Sequence, residues 1–152
     1  MRGNETLYFM VHAVTEASAA GAGEAAHDPP LSEDGMKEAE RIAAEFAKTK
    51  PGLRVIFCSP KLCAIQTADF VHDQVSSRLK LKAIDELACR SSARESAEDF
   101  RARVQRVFEW VKTQPLPSLI VGHADFAKIM LSLAHMPERD LKPGEIVSID
   151  LF

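Results

Sequence analysis

Leu7-Tyr8-Phe9-Met10-Val11-His12-Ala13 is an apolar run that stops at a histidine, and Leu119-Ile120-Val121-Gly122-His123-Ala124 repeats the arrangement far along the chain. Continuous apolar runs of this length, bounded by turn residues, read as strands buried on both faces. In an open parallel sheet, ligands sit beyond the carboxyl ends of the strands. A lone histidine is most often a surface or satisfied core residue. Two that end separate buried strands, each followed by a small residue, point to one shared site if the segments between them build such a sheet.

Those segments do alternate. Val14 to Pro30 is rich in Ala, Gly and Glu and reads as a long loop. Ser32 is an N-cap, Glu33 and Asp34 favour a first helical turn, and Met36, Ala39, Ala43 and Phe46 follow at helical spacing. Pro51-Gly52 closes that helix, and Leu53 to Cys58 is a second strand. Ser59-Pro60 opens another helix, running to about Val75, because proline fits an early helical position. Leu79 to Ile84 is a third, weaker strand, and Asp85 to Arg94 shows no pattern. Phe100, Val104, Val107, Phe108 and Val111 line one helical face, which Pro115 and Pro117 end. Phe126, Ile129, Met130 and Leu133 mark a last helix, Pro143-Gly144 a turn, and Ile146 to Leu151 a final strand. The order β-α-β-α-β-α-β-α-β predicts a three-layer α/β sandwich, a mostly parallel sheet of about five strands with helices on both faces.

Composition narrows the function classes. The 152 residues predict one domain, 1–152, large enough for a real core. Nineteen Lys and Arg against twenty-two Asp and Glu give a net charge of −3, so no nucleic-acid partner is expected. No apolar run approaches the roughly 20 residues of a membrane helix, and the start of the chain lacks the pattern of a signal peptide. Cys58, Cys63 and Cys89 are odd in number and widely set, which fits a reducing cytoplasm and no disulfide framework. Several chemistries fail on spacing. The residues six beyond the cysteines are Ala64, Asp69 and Glu95, so no cysteine-phosphatase loop exists. G-x-S-x-G and Walker A sequences are absent. Gly21 to Ala26 runs into Pro29-Pro30 instead of a helix, which excludes a dinucleotide loop. Cys58 and Cys63 read as buried small hydrophobes, His72 and His135 as surface residues, and His27 has no assigned role.

Five segments, in order, resemble the histidine phosphatase superfamily, the phosphoglycerate mutase-like proteins, and most of all its small bacterial phosphohistidine phosphatases. Leu7 to Ala13 is similar to the family's apolar strand ending in Arg-His-Gly. Pro30-Leu31-Ser32-Glu33-Asp34-Gly35 resembles its Pro-Leu-Thr-Glu-x-Gly helix start. Cys58-Ser59-Pro60-Lys61-Leu62-Cys63-Ala64-Ile65-Gln66-Thr67-Ala68 resembles Ser-Ser-Pro-x-x-Arg-Ala-x-Gln-Thr-Ala. Arg94-Glu95-Ser96 resembles Gly-Glu-Ser before a helix, and Val121-Gly122-His123 the second-histidine motif. The resemblance implies that His12 carries a phosphoryl group as phosphohistidine and that His123 stabilises its transfer. It implies a phosphorylated small molecule or phosphoprotein as partner, no cofactor and no metal. Glu86, near the expected mouth, is the candidate proton donor. Ala13, Ala124 and Lys61 are the candidate phosphate contacts, Ala124 through the start of its helix. No oligomeric state is predicted.

The departures concern charge. The family pocket carries two arginines, and the matching positions are Val11 and Cys63; the glycine after the first histidine is Ala13. Phosphoryl transfer rests on positioning and charge stabilisation, which the bidentate guanidinium supplies and Val or Cys does not. If each lost contact costs roughly 2–5 kcal/mol, the two together slow the reaction about a thousandfold to ten-millionfold. Lys61, Arg90 and Arg94 are the cations placed to compensate, whereas Arg54, which begins the second strand, is expected at the opposite end of the sheet. The expectation is a weak phosphatase, or alternatively a family member that binds a phosphorylated ligand or partner without turnover.

Overall fold

The computed structural model describes residues 5–19, 28–91 and 94–152. Five strands form one sheet: β1 (Thr6–Val11), β2 (Val55–Cys58), β3 (Leu81–Ala83), β4 (Ser118–Gly122) and β5 (Ile146–Asp150). Their spatial order is β3-β2-β4-β1-β5. β3, β2, β4 and β1 run parallel, and β5 closes the β1 edge antiparallel. The helices are α1 (Glu16–Ala19), α2 (Glu33–Lys48), α3 (Leu62–Val75), α4 (Ala97–Val111) and α5 (Ala124–Leu133).

Strand alternation sorts the core into two layers. Leu7, Phe9, Val11, Val55, Phe57 and Ile120 pack toward α4 and α5 with Val104, Phe126 and Met130. Tyr8, Met10, Ile56, Cys58, Leu119 and Val121 pack toward the opposite layer with Ala43, Phe46, Ala64 and Val71 of α2 and α3. β4 is buried at all five residues, as a central parallel strand covered on both faces must be. The architecture is the three-layer α/β sandwich expected from the alternating pattern, and no described helix is long and apolar enough to cross a membrane.

Local differences from the expected elements each have a cause. Part of the stretch expected to be loop forms α1, beside a bridge that pairs Thr15 with Leu31. The glycine-rich sequence Gly21 to Ala26 and His27 lie outside the described residues. Met36 was expected on the buried face of α2 but stands at its exposed side, and Gly35 takes the buried place. A Cβ at Gly35 would lie 2.0 Å from the Val14 carbonyl oxygen, so only a bare α-carbon lets α2 approach the first strand's exit. Helix α3 starts at Leu62 and not at Ser59-Pro60. The Ser59 N–H instead extends sheet pairing to the Val121 carbonyl at 2.9 Å, and its hydroxyl accepts from the Lys61 N–H at 3.3 Å. In the described part of the patternless stretch, Asp85–Leu87 forms a tight turn pinned by the buried Leu87.

Candidate active site

β1 and β4 are neighbours in parallel register, with Val11 opposite Gly122, so their next residues leave the same edge side by side. The His12 N–H continues the ladder to the Gly122 carbonyl at 2.9 Å. The two imidazoles meet edge to face with ring centres 5.1 Å apart. A Cβ at Gly122 would lie 3.2 Å from the Phe9 ring, so the glycine leaves that ring its place between β1 and β4.

Hydrogen bonds fix the His12 tautomer. Its Nδ1 lies 2.8 Å from the Ala13 carbonyl oxygen. A carbonyl only accepts, so Nδ1 carries the proton and Nε2 keeps a free lone pair. Burial lowers the His12 pKa, against the Ala13 hydrogen bond and the nearby Asp125 carboxylate, which raise it. His123, the residue that caps α5, has Nε2 2.8 Å from the buried Ser59 hydroxyl. Burial first, then His12, Lys61 and Arg103, push its pKa down to about 3. Near neutrality both rings are therefore uncharged, and one presents a nucleophilic nitrogen.

The other sequence-derived candidates divide. Lys61 caps α3, and its charge acts on His123. Ala13 is buried, with its N–H held by Thr67 Oγ1 at 3.2 Å; that hydroxyl in turn donates to the Cys63 carbonyl at 2.8 Å. Ala124 opens α5. Glu86 is exposed in the tight turn; its carbonyl oxygen accepts from Arg103 at 2.7 Å, and its carboxylate acts on the same guanidinium. Val11 and Cys63 are 2% and 4% exposed, and both belong to apolar packing. Burial raises the Cys63 thiol to about 11, so it stays protonated and unreactive near neutral pH. Arg90 turns its Nε to the Glu95 carbonyl at 3.1 Å, and Arg94 lies exposed in a turn. Arg54 precedes β2, at the far edge of the sheet, where it was expected.

Two groups of residues were missed by sequence reading. The first is a pair of aspartates at helix starts. Asp28 accepts from the Leu62 N–H in the first turn of α3. Asp125 accepts from the Phe126 N–H at 2.7 Å and from the Arg90 N–H at 3.3 Å. Helix starts favour anions because their amides are unpaired and the dipole is positive there. Here the chain's own carboxylates meet both starts. An acidic residue two places after His123 was the available signal for Asp125. The second is Arg103, which pairs with Glu95 through Nε at 2.9 Å and Nη2 at 2.8 Å. Its Nη1 donates to the Glu86 and Ala88 carbonyls, both at 2.7 Å, and the guanidinium lies 4.9 Å from the Phe100 ring centre. It ties the Glu86–Glu95 stretch to α4, and nothing in its own neighbourhood of sequence announces that. Among the described residues, no group of three or more His, Cys, Asp or Glu side chains is arranged to hold a metal ion.

The chain is thus a three-layer α/β protein with a histidine pair on the carboxyl edge of a mostly parallel sheet. The model of the histidine phosphatase superfamily (branch 1) matches residues 7–91, more than half of the chain, and the protein belongs to that superfamily. The same fold is found in the alpha-ribazole phosphatase of Shigella flexneri, at 20% identity and a TM-score of 0.74, covering 95% of this chain and 90% of that one. The mycobacterial glucosyl-3-phosphoglycerate phosphatase complexed with VO3 gives 17% identity, a TM-score of 0.73, and coverage of 95% and 90%. The protein histidine phosphatase SixA complexed with tungstate gives 16% identity, a TM-score of 0.72, and coverage of 94% and 86%. Comparison with curated protein sequences returned no match.

Proposed function

We propose that this single-domain protein is a weak phosphatase that acts on a phosphomonoester or phosphohistidine in the cytoplasm, with His12 as the nucleophile. The observation that carries the reading is the His12 tautomer: Nδ1–H is held by the Ala13 carbonyl, and Nε2 is free 5.1 Å, ring to ring, from His123. In this reading Nε2 attacks phosphorus, the bond to the leaving oxygen breaks, and that oxygen takes a proton from Glu86. Water then cleaves the phosphohistidine and restores His12. Lys61, His123 and the first-turn N–H of Ala124 face the transferred group, and Ala13 acts through the carbonyl that orients His12. Turnover is weak because the two arginine positions hold buried Val11 and Cys63.

A second reading, a family member that binds without turnover, is favoured by the two aspartates at the starts of α3 and α5. A carboxylate there opposes a dianionic phosphate group. One experiment separates the readings. An aryl phosphate and a phosphohistidine peptide are incubated with the wild-type chain and with His12→Ala. Hydrolysis by the wild type that the variant loses supports the phosphatase. Equal release by both, or none from either while both remain folded, rejects it.

A further inference from the structure

Cations gather on the β3 side of the sheet, toward the amino ends of its strands. Arg54, Arg78, Lys80 and Lys82 line a cleft of about 360 Å³, with Val55 and Phe57 in its floor and Leu79, Gln114 and Pro115 around it. No acidic residue lines it among the described residues. All four cations are exposed, and none makes a side-chain hydrogen bond or ion pair with a described residue. In a chain of net charge −3, that is a strongly asymmetric placement.

The sequence builds the cleft by alternation. In Arg78-Leu79-Lys80-Leu81-Lys82, Leu79 and Leu81 pack into the α2–α3 layer. Side chains alternate along a strand, so Lys80 and Lys82 project to the other face. Lys82 pairs in register with Phe57, whose ring packs on Trp110 of α4, so this is the face that α4 only partly covers. Lysines on an edge strand ordinarily keep it from pairing with another chain. Arg54 does not fit that purpose, because it leads into β2, an interior strand, and closes the cleft from the side.

We propose that this cleft binds a short chain of linked phosphate groups, at a site separate from the histidine pair. Lys80 and Lys82 are about 7 Å apart along the chain, and Arg54, just before the neighbouring strand, lines the same cleft. Positive charge drawn out in this way matches an anion with several charges in a row, and a single phosphate does not span it. The arginines supply forked donors and the lysines mobile point charges.

The test is calorimetric titration of inorganic tripolyphosphate at about 0.1 M ionic strength, where distant exposed charges are screened. The proteins are the wild type, Lys80→Gln/Lys82→Gln, Arg54→Gln and His12→Ala, each checked for an unchanged thermal melt. The expected pattern is saturable binding, weakened about tenfold or more in the lysine pair and in Arg54→Gln, and kept in His12→Ala. Adenosine triphosphate, run in parallel, tells a free phosphate chain from a nucleotide tail by which binds more tightly. Absence of saturation, equal loss in His12→Ala, or unchanged binding in the lysine pair overturns the proposal. So does tighter binding of an oligoglutamate peptide, which would assign the cleft to an acidic protein segment.

Discussion

The carboxyl edge of the sheet and the cleft on its β3 side share strands and carry different electrostatics. At the carboxyl edge, the half-buried His12 and the buried His123 are neutral, Val11 and Cys63 are packed apolar groups, and Asp28 and Asp125 stand at the helix starts. On the β3 side, toward the amino ends of the strands, four cations stand unpaired among the described residues. The comparison teaches that net charge is a poor guide to where an anion binds. A total of nineteen cations is compatible with a histidine edge where Val11 and Cys63 stand at the two positions that the resemblance gives to arginine. What decides is the strand end and the face to which each side chain is delivered.

The largest test of this contrast restores charge to the carboxyl edge. Val11→Arg with Cys63→Arg is expected to raise aryl phosphate turnover at least about a hundredfold, since each charged contact contributes roughly 2–5 kcal/mol. Initial rates beside those of the wild type measure it. A folded double variant with no gain would mean that the aspartates, not the missing arginines, silence this edge.

Next in size is the brace behind the site. Arg103 and Glu95 have side chains only 13% and 19% exposed, and Arg103 also satisfies carbonyls of the Glu86–Cys89 stretch. Arg103→Met leaves those acceptors and the Glu95 carboxylate without their partner, and is expected to destabilise the fold by about 3 kcal/mol. Urea unfolding measures it. A loss under about 0.5 kcal/mol would make the brace an ordinary surface ion pair.

The histidines give a pH signature that the basic cleft lacks. In the folded chain His123 titrates at about 3, below the 6.5 of a free imidazole. As pH falls through 6.5 the unfolded chain takes up the proton first, so stability is full above that pH and declines toward 3. His12 shifts in the same direction. Between pH 7 and pH 5, above the carboxylate range, His123 alone removes about 2 kcal/mol. His123→Gln is expected to flatten that part of the stability–pH curve. An unchanged slope would mean that its ring is protonated in the folded state.

The smallest effect belongs to the basic cleft. Lys80→Gln/Lys82→Gln is expected to change unfolding free energy by less than about 0.5 kcal/mol, because exposed charges without partners contribute little to folding. A loss of several kcal/mol would recast these lysines as structural.

The alternation of apolar runs and helical faces was legible from the residues. It gave the layer architecture, the five strands and the common edge of His12 and His123, because strand periodicity and burial are local properties. Gly35 shows where that reading stops. Helical spacing favours Met36 for the buried face, yet the close approach to Val14 gives that place to glycine. Glu86 was chosen by its place near the mouth, but the direction of its side chain depends on how the turn docks on Arg103.

By itself, then, the sequence determined the fold, the histidine pair, the substitutions Val11 and Cys63, and the alternating Arg78-Leu79-Lys80-Leu81-Lys82 segment. The His12 tautomer, the meeting of Asp28 and Asp125 with the two helix starts, and the joining of Arg54 with Lys80 and Lys82 in one cleft came from the folded arrangement. The reason is range. Periodicity and turn chemistry act over a few residues, whereas the partners of these side chains come from strands and helices brought together only by folding.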